Sequence, residues 1–506
     1  MVPNRSSKGC LTCKRRRKKC DEKKPECDRC LLGGFECLGY SHLFETYSGT
    51  SANNYRETSN EATQSNVTFP LLLQDRTSQS STDVDQLSSP ALDLMASQMS
   101  SNTLALLRFG KRSSSIPKSP QLDPFQRNDI IDLIVSQYLR VASRVSFKSI
   151  PGSFSEGLAT RARSSVLTLK TMYLGARIVQ ALLDETNWYD YVGWIDNFHR
   201  QISGIPPVTV EAGVTHLADR LSAHQGLEYF TFMLLGSSAG YSLFRKSVPL
   251  FLQLAAKYPE VWAQDSAISI SHALHTPRHE IIKFILVDTI SAVAFGTAPL
   301  VNYNTTIREK GANRFLERGY FCPVVILILL ASINSARIAR LMDQSPPSFE
   351  AVRDFEAQLR DWNPVIDYAN EPPELITRLA IWECWRQSTL IYLYMGMCGV
   401  DSADERIQPL VFQVAQLAST VDAGTPLEAH LFVPCLIAGV AAQKEKHRAI
   451  LRRKMLASQK IEARLLRGAD FVFVLDHLWY GAAAGGSAVT WEDYVGSRYV
   501  IMPIDT

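Results

Sequence analysis

No stretch of this chain stays apolar long enough to cross a bilayer as a helix. The longest such run, Pro323 to Ile333, is about half of the ~20 residues a helical span requires, and it is expected to form a buried helix with no membrane partner. Met1 to Leu11 contains no apolar h-region, so no secretory leader is expected. Excess charge is also scarce: 53 Lys and Arg stand against 50 Asp and Glu, a net charge of +3. H-E-x-x-H, P-loop and kinase signatures are missing, which removes the commonest metalloprotease and nucleotide-dependent classes. Cysteine is sparse over most of the length, with 10 in 506 residues. Six of these fall within the first 37 positions, and there the chain stops being ordinary.

The six are Cys10, Cys13, Cys20, Cys27, Cys30 and Cys37, spaced C-x2-C-x6-C-x6-C-x2-C-x6-C. This is two near-copies of C-x2-C-x6-C. A pair at i, i+3 sets two thiolates on one face of a helical turn, and a third six residues on can return to the same ion. Tetrahedral zinc takes four ligands. Two ions therefore need eight bonding positions from six sulfurs, so two sulfurs must bridge. A disulfide framework belongs to secreted chains, iron-sulfur ligation uses other spacings, and a single zinc would leave two cysteines unexplained.

The halves differ in charge. All six residues between Cys13 and Cys20 are basic: Lys14, Arg15, Arg16, Arg17, Lys18 and Lys19. Between Cys30 and Cys37 stand Leu31, Leu32, Gly33, Gly34, Phe35 and Glu36, with no positive charge. Residues 1 to 40 hold eleven Lys and Arg against five Asp and Glu, a balance of +6, so the remainder of the chain sums to −3. Such localised positive charge is the footprint of a nucleic-acid-binding unit. A short helix from about Cys13 to Lys19 would present its side chains to the major groove, where Arg and Lys grip guanine O6 and N7.

This segment resembles the fungal zinc binuclear cluster family of transcription factors, through the cysteine spacing, Gly9, the basic block, Asp21, Pro25 and the Gly34 to Tyr40 tail. The resemblance implies two Zn²⁺ ions, with Cys10 and Cys27 as the bridging sulfurs. It implies base contacts from Arg17 and Arg16 to a CGG triplet in double-stranded DNA, action in the nucleus and engagement with the transcription machinery. Lys14, Arg15, Lys18 and Lys19 suit phosphates, which position a protein without reading sequence. Many members dimerise through a coiled coil just past the cluster. Leu38 to Asn60 shows no sustained heptad, which leaves monomeric binding or a homodimer paired through the large C-terminal domain.

Residues 1 to 45 thus form the expected DNA-binding domain. From 46 to 122 nearly half the residues are Ser, Thr, Asn or Gln, which reads as a disordered linker. Residues 123 to 506 read as a large all-α domain. It opens on an Asp123–Pro124 start signal, and Ile130, Ile134, Tyr138 and Val141 follow at helical spacing. Further helices are expected over Ser164 to Asp184, Gly226 to Gly236, Tyr241 to Lys257, His279 to Phe295, Leu379 to Met395 and Gln443 to Leu466. The stretches 226 to 255, 271 to 301 and 385 to 411 resemble the fungal transcription-factor regulatory domain.

No catalytic residues are assigned. His272, His275, His279 and Glu280 form H-x2-H-x3-H-E, but Pro277 interrupts helical geometry there, so capping and packing are expected of them. The alternative is a zinc-dependent nucleic-acid-binding protein whose helical domain is an enzyme or effector-binding module. Cys322, Cys384, Cys398 and Cys435 are isolated in apolar sequence and are expected to be buried thiols. Lys444 to Arg467 is a second basic stretch, expected to be a solvated helix face.

Overall fold

The structure, a computed structural model, describes residues 10, 12–13, 18–23, 27–32, 127–147, 150–204, 213–306, 322–343, 347–364, 374–457 and 465–504. The chain divides into two compact units, Met1–Leu87 and Ser88–Thr506. The expected linker and the Asp123–Pro124 start signal lie outside the described residues.

In the first unit, α1 spans Asp28–Leu32. The second unit is helical, as expected. It begins with α2 (Arg127–Val145), α3 (Phe154–Ser164), α4 (Val166–Leu183), α5 (Val192–Ser203), α6 (Val214–Leu235), α7 (Ser237–Arg245) and α8 (Val248–Ala255). It continues with the single turn α9 (Ile270–Ala273), α10 (His279–Phe295), α11 (Val324–Asp343), α12 (Phe349–Asp361) and α13 (Leu375–Tyr392). The last helices are α14 (Ile407–Thr420), α15 (Phe432–Ala441), α16 (Glu445–Leu456), α17 (Gly468–Tyr480) and α18 (Trp491–Ile501). Among the described residues, β structure amounts to one parallel pair, Ile268–Ser269 beside Tyr303–Asn304, and an isolated antiparallel bridge between Trp262 and Ile268.

Where boundaries differ from expectation the cause is local. Tyr241 to Lys257 splits into α7 and α8 because Pro249 cannot donate an N–H and its ring collides with the carbonyl four residues back, that of Arg245, where α7 stops. Helix α13 starts earlier than expected, and a π-helical turn over Leu393–Met397 follows it. The helix expected over Gln443 to Leu466 is α16, which closes at Ala457.

Three apolar cores hold the unit. Ile131 and Ile134 of α2, Leu158 of α3 and Leu169, Met172 and Ala176 of α4 form the first. Leu174 and Ile178 of α4, Phe198 of α5 and Leu227 and Phe230 of α6 form the second. Helix α4 is thus a wall shared by two cores, which is why its sequence is apolar nearly all round. The third and largest core extends from α6 to α18 around α10, and between Glu280 and Phe295 only Lys283 escapes full burial.

Two helices, Val166–Leu183 and Val324–Met342, are long and apolar enough to cross a membrane by length and composition alone. This corrects the count from the sequence, which closed the second run at Ile333. Both are packed within the unit. In α11 the turn beyond Ile333 carries Asn334 and Arg337, buried and bonded to neighbouring helices.

The end of α10 sets how the last helices pack. Gly296 closes it in the left-handed conformation (φ 65°, ψ 29°), and the Thr297 N–H returns to the Ala292 carbonyl at 3.2 Å. The next carbonyls are capped from outside. Tyr494 O–H donates to Ala294, Arg498 Nε to Phe295 at 2.9 Å and Arg337 Nη1 to Gly296 at 3.1 Å. Arg337 also forks onto Glu492 at 2.9 and 2.6 Å, joining α11 to α18. Helix α18 begins on a capping box between Thr490 and Asp493.

Replacing Gly296 by Ala combines a left-handed backbone with a Cβ only 2.3 Å from Val495 Cγ2. Gly296→Ala should cost about 2–4 kcal/mol in denaturant unfolding followed by tryptophan fluorescence, and adding Val495→Ala should recover only the steric part.

Asp288 of α10 is fully buried. It accepts from the Leu300 N–H at 3.0 Å and the Tyr303 O–H at 2.7 Å, yet burial outweighs these donors and pushes its carboxyl up to about 7. Since this lies above the unfolded value of 3.8, the stabilisation belongs to the protonated form and is lost as pH rises from about 4 to 7. Wild type should therefore lose a few kcal/mol against Asp288→Asn over that interval. Unfolding midpoints at pH 5 and 7.5 check this, and a constant difference between the two proteins would contradict it.

Candidate metal centre

In the first unit the buried side chains among the described residues are all cysteines. Its core among the described residues is five cysteines, Cys10, Cys13, Cys20, Cys27 and Cys30. The two halves repeat one local device. The Cys13 N–H donates to the Cys10 sulfur at 3.3 Å, and the Cys30 N–H donates to the Cys27 sulfur at 3.4 Å. The i, i+3 spacing thus folds each pair around its first sulfur. Cys20 returns to this centre by accepting from the N–H groups of Cys10 at 3.4 Å and Glu22 at 3.3 Å. That turn requires Glu22 at φ 64°, a left-handed conformation uncommon for a residue with a Cβ.

Across the halves the Sγ separations are 3.6 Å for Cys10–Cys27, 3.8 Å for Cys10–Cys30, 3.7 Å for Cys13–Cys27 and 3.8 Å for Cys13–Cys30. Disulfide sulfurs would sit at about 2.05 Å, and none of these five cysteines is joined in a disulfide. A tetrahedron of sulfurs about zinc, with bonds of about 2.3 Å, has an edge of about 3.8 Å, so these spacings fit shared metal ligation. A second group joins Cys20, Asp21 and Cys27, and Cys27 is thus common to both. Among the described residues these are the groups of metal-ligating side chains close enough to share an ion.

Charge makes the same demand. Burial raises the Cys13 thiol, partly offset by hydrogen bonds with Cys27 and Cys10. Burial and the adjoining sulfurs raise Cys27 far above the ordinary thiol range. Neutral thiols crowded this way make poor use of the site, whereas a soft divalent cation converts them to thiolates and removes their mutual repulsion. The donor set fits zinc.

Asp21 bridges the halves by a different route. Its Oδ2 accepts from the Asp28 N–H at 2.9 Å and its Oδ1 from the Arg29 N–H at 3.1 Å, at the start of α1. Desolvation opposes ionisation there, but the Arg29 and Asp28 donors outweigh it and hold the carboxyl below its ordinary range. In the sequence Asp21 carried only a resemblance. No periodicity betrays a cap that acts from outside its helix.

Cys37 and Lys14, Arg15, Arg16 and Arg17 lie outside the described residues. Lys18 and Lys19 are exposed, and the Lys18 N–H donates to the Cys13 carbonyl at 3.0 Å.

The helical unit offers no comparable centre among the described residues. His272 Nδ1 pairs with Ser269 Oγ at 2.9 Å and His275 Nδ1 with the Ser271 carbonyl at 2.8 Å, both local contacts around α9. His279 faces Glu280 at 3.3 Å, and burial pushes its imidazole down to about 3. One hydrolase-like spacing escaped the sequence reading: Gly236, Ser238 and Gly240 fit G-x-S-x-G. It joins α6 directly to α7 with no strand before it, so it lacks the strand–turn–helix form of a nucleophile elbow.

The second basic stretch is also corrected, because part of its charge turns inward while Lys444, Lys446 and Arg453 stay exposed. Arg448 is buried and donates to the carbonyls of Ala442 and Ala483, each at 2.8 Å. Arg452 forks onto Asp476 at 3.0 Å, and Lys454 is buried against Glu428 at 2.7 Å. Cys322, Cys384 and Cys435 are buried thiols and Cys398 is half-buried.

Comparison with known proteins agrees with this division. Residues 8–46 match the fungal Zn(2)-Cys(6) binuclear cluster domain, and residues 276–502 match the fungal specific transcription factor domain. Of the three stretches with regulatory-domain resemblance, 226 to 255 falls outside the second match. Curated relatives match over a short segment. An uncharacterized transcriptional regulatory protein of Schizosaccharomyces pombe is 52% identical over 46 residues, 9% of this chain and 8% of its own length. White-opaque regulator 2 of Candida albicans is 49% identical over 43 residues, 8% of this chain and 10% of its own. Pestheic acid cluster transcriptional regulator 3 of Pestalotiopsis fici is 58% identical over 38 residues, 8% and 7%. The chain thus spans at most a tenth of the length of these three relatives. No solved structure matches. With a zinc-implying, DNA-binding cluster domain at one end and a helical transcription factor domain at the other, the chain belongs to the fungal Zn(2)-Cys(6) transcription regulators.

Proposed function

We propose that the chain is a nuclear, sequence-specific regulator of genes transcribed by RNA polymerase II, reading CGG-type half-sites in double-stranded DNA through a cluster of two zinc ions. The observation that carries this reading is the meeting of Cys10, Cys13, Cys27 and Cys30 at tetrahedral sulfur spacings, in a chain whose Cys13 to Cys20 interval is entirely basic. In this reading Cys10, Cys13, Cys20, Cys27, Cys30 and Cys37 hold the metals, with Cys10 and Cys27 serving both. Bound zinc supplies charge neutralisation and a rigid frame. Six thiolates with two Zn²⁺ add −2 to the local balance of +6, leaving residues 1 to 40 near +4.

The protein's own residues do the recognition. Arg16 and Arg17 read guanine edges, while Lys14, Arg15, Lys18 and Lys19 hold phosphates. Residues 1 to 45 are the DNA-binding domain, 46 to 122 the linker and 123 to 506 the regulatory domain, which addresses the transcription machinery and offers the surface for any homodimer. The mechanism is recognition, without catalysis.

Fluorescence anisotropy of the full chain on CGG and scrambled duplexes tests this directly. Preference for CGG should appear with zinc and vanish with a chelator, while the far-ultraviolet circular dichroism of the helical unit stays in place. Zinc-independent or equal binding to both duplexes would defeat the reading. Arg17→Ala should lose about 1–3 kcal/mol of discrimination at one base, while Lys14→Ala weakens all duplexes and lowers the salt slope by about one. In native mass spectrometry, Cys27→Ser should no longer hold two zincs, since it removes a ligand from both.

A further inference from the structure

Helix α1 has five residues, too few to stand alone, and it carries Cys30 while Cys27 sits at its entrance. Its first three N–H groups are orphans by geometry, and all three are satisfied. The Cys27 sulfur takes that of Cys30 at 3.4 Å, and the Asp21 carboxylate takes those of Asp28 at 2.9 Å and Arg29 at 3.1 Å. Asp21 follows Cys20 directly in the chain. One residue thus fastens the last cysteine of the first half to the helix that presents the first two cysteines of the second. Both hydrogen bonds go to backbone N–H groups, so they do not depend on which side chains occupy positions 28 and 29.

Resting on the two-zinc reading, we infer that Asp21 is a positioning residue for the ion that Cys30 would hold, taken to be the second to bind: it fixes Cys27 and Cys30 relative to Cys20 before that ion arrives, and so supplies part of its affinity. The principle is preorganisation. A ligand pair already in place loses less freedom on binding, and partners that orient metal ligands typically carry tenfold to a hundredfold of metal affinity. Asp21 is the only residue among those described to contact this helix through a carboxylate from the other half. Lys23, by contrast, meets Asp28 in an exposed ion pair at 3.0 Å, of a kind that adds little.

The test is cobalt(II) and zinc titration of the full chain, wild type against Asp21→Asn, which removes one acceptor and the charge at nearly constant size. Lys23→Ala serves as the control and should match wild type. Asp21→Asn should take up the first equivalent with wild-type affinity and the second about tenfold more weakly, and the cobalt ligand-field bands of the second equivalent alone should shift. Wild-type affinity and spectrum for both equivalents would overturn the inference, as would parallel weakening of both. A wild-type chain that accepts one metal overturns the two-zinc reading itself, and is recognised without reference to the variant.

Discussion

Three carbonyl oxygens at the end of α10, those of Ala294, Phe295 and Gly296, have no partners in their own helix, and the large unit is arranged around giving them some. A helix buried on every side cannot leave its last acceptors to water. Tyr494 and Arg498 of α18 and Arg337 of α11 take up that role, and Glu492 neutralises the arginine that has been brought inside. Two requirements are met by one contact: the central helix is terminated, and the last helix of the chain is fixed over it. The cost of burying a guanidinium is offset because each of its hydrogen-bonding faces meets an acceptor.

The small unit solves a similar problem with different materials. Among its described residues every buried side chain ends in sulfur. Sulfurs at van der Waals separation give cohesion only if their ionised forms are compensated, so the fold and the metal requirement are one constraint. The N–H groups aimed at Cys10, Cys20 and Cys27 orient their sulfurs, and Asp21 ties the halves together through the backbone of α1.

What could be read from the sequence was what is local. The cysteine spacing is short-range, and the limits of α10 follow from apolar continuity and a closing glycine. The break between α7 and α8 was written in Pro249 but concealed by apolar residues on both sides. Contacts between distant positions left no pattern. Arg337 and Glu492 lie 155 residues apart, and the basic run ending at Lys454 looked solvated because Asp476 and Glu428, which consume its charge, stand elsewhere in the chain. The same holds for Asp288, whose burial depends on helices that only tertiary packing brings around it. Asp21 falls between these cases: near its partners in sequence, yet without a periodic signal.

The shared wall formed by α4, and the reach of the largest core back to α6, bear on where this protein can be cut. The segment recognised by similarity begins at 276, but the rings of Phe251 and Phe284 stack face to face at 3.9 Å, and Leu221 and Phe244 belong to the same core. A fragment started at that boundary would carry α10 with one flank stripped to solvent. One started between α3 and α4 would leave Leu169, Met172 and Ala176 uncovered. The stretch that similarity identifies is smaller than the stretch that folds, and an expression fragment with an intact interior has to begin ahead of Arg127.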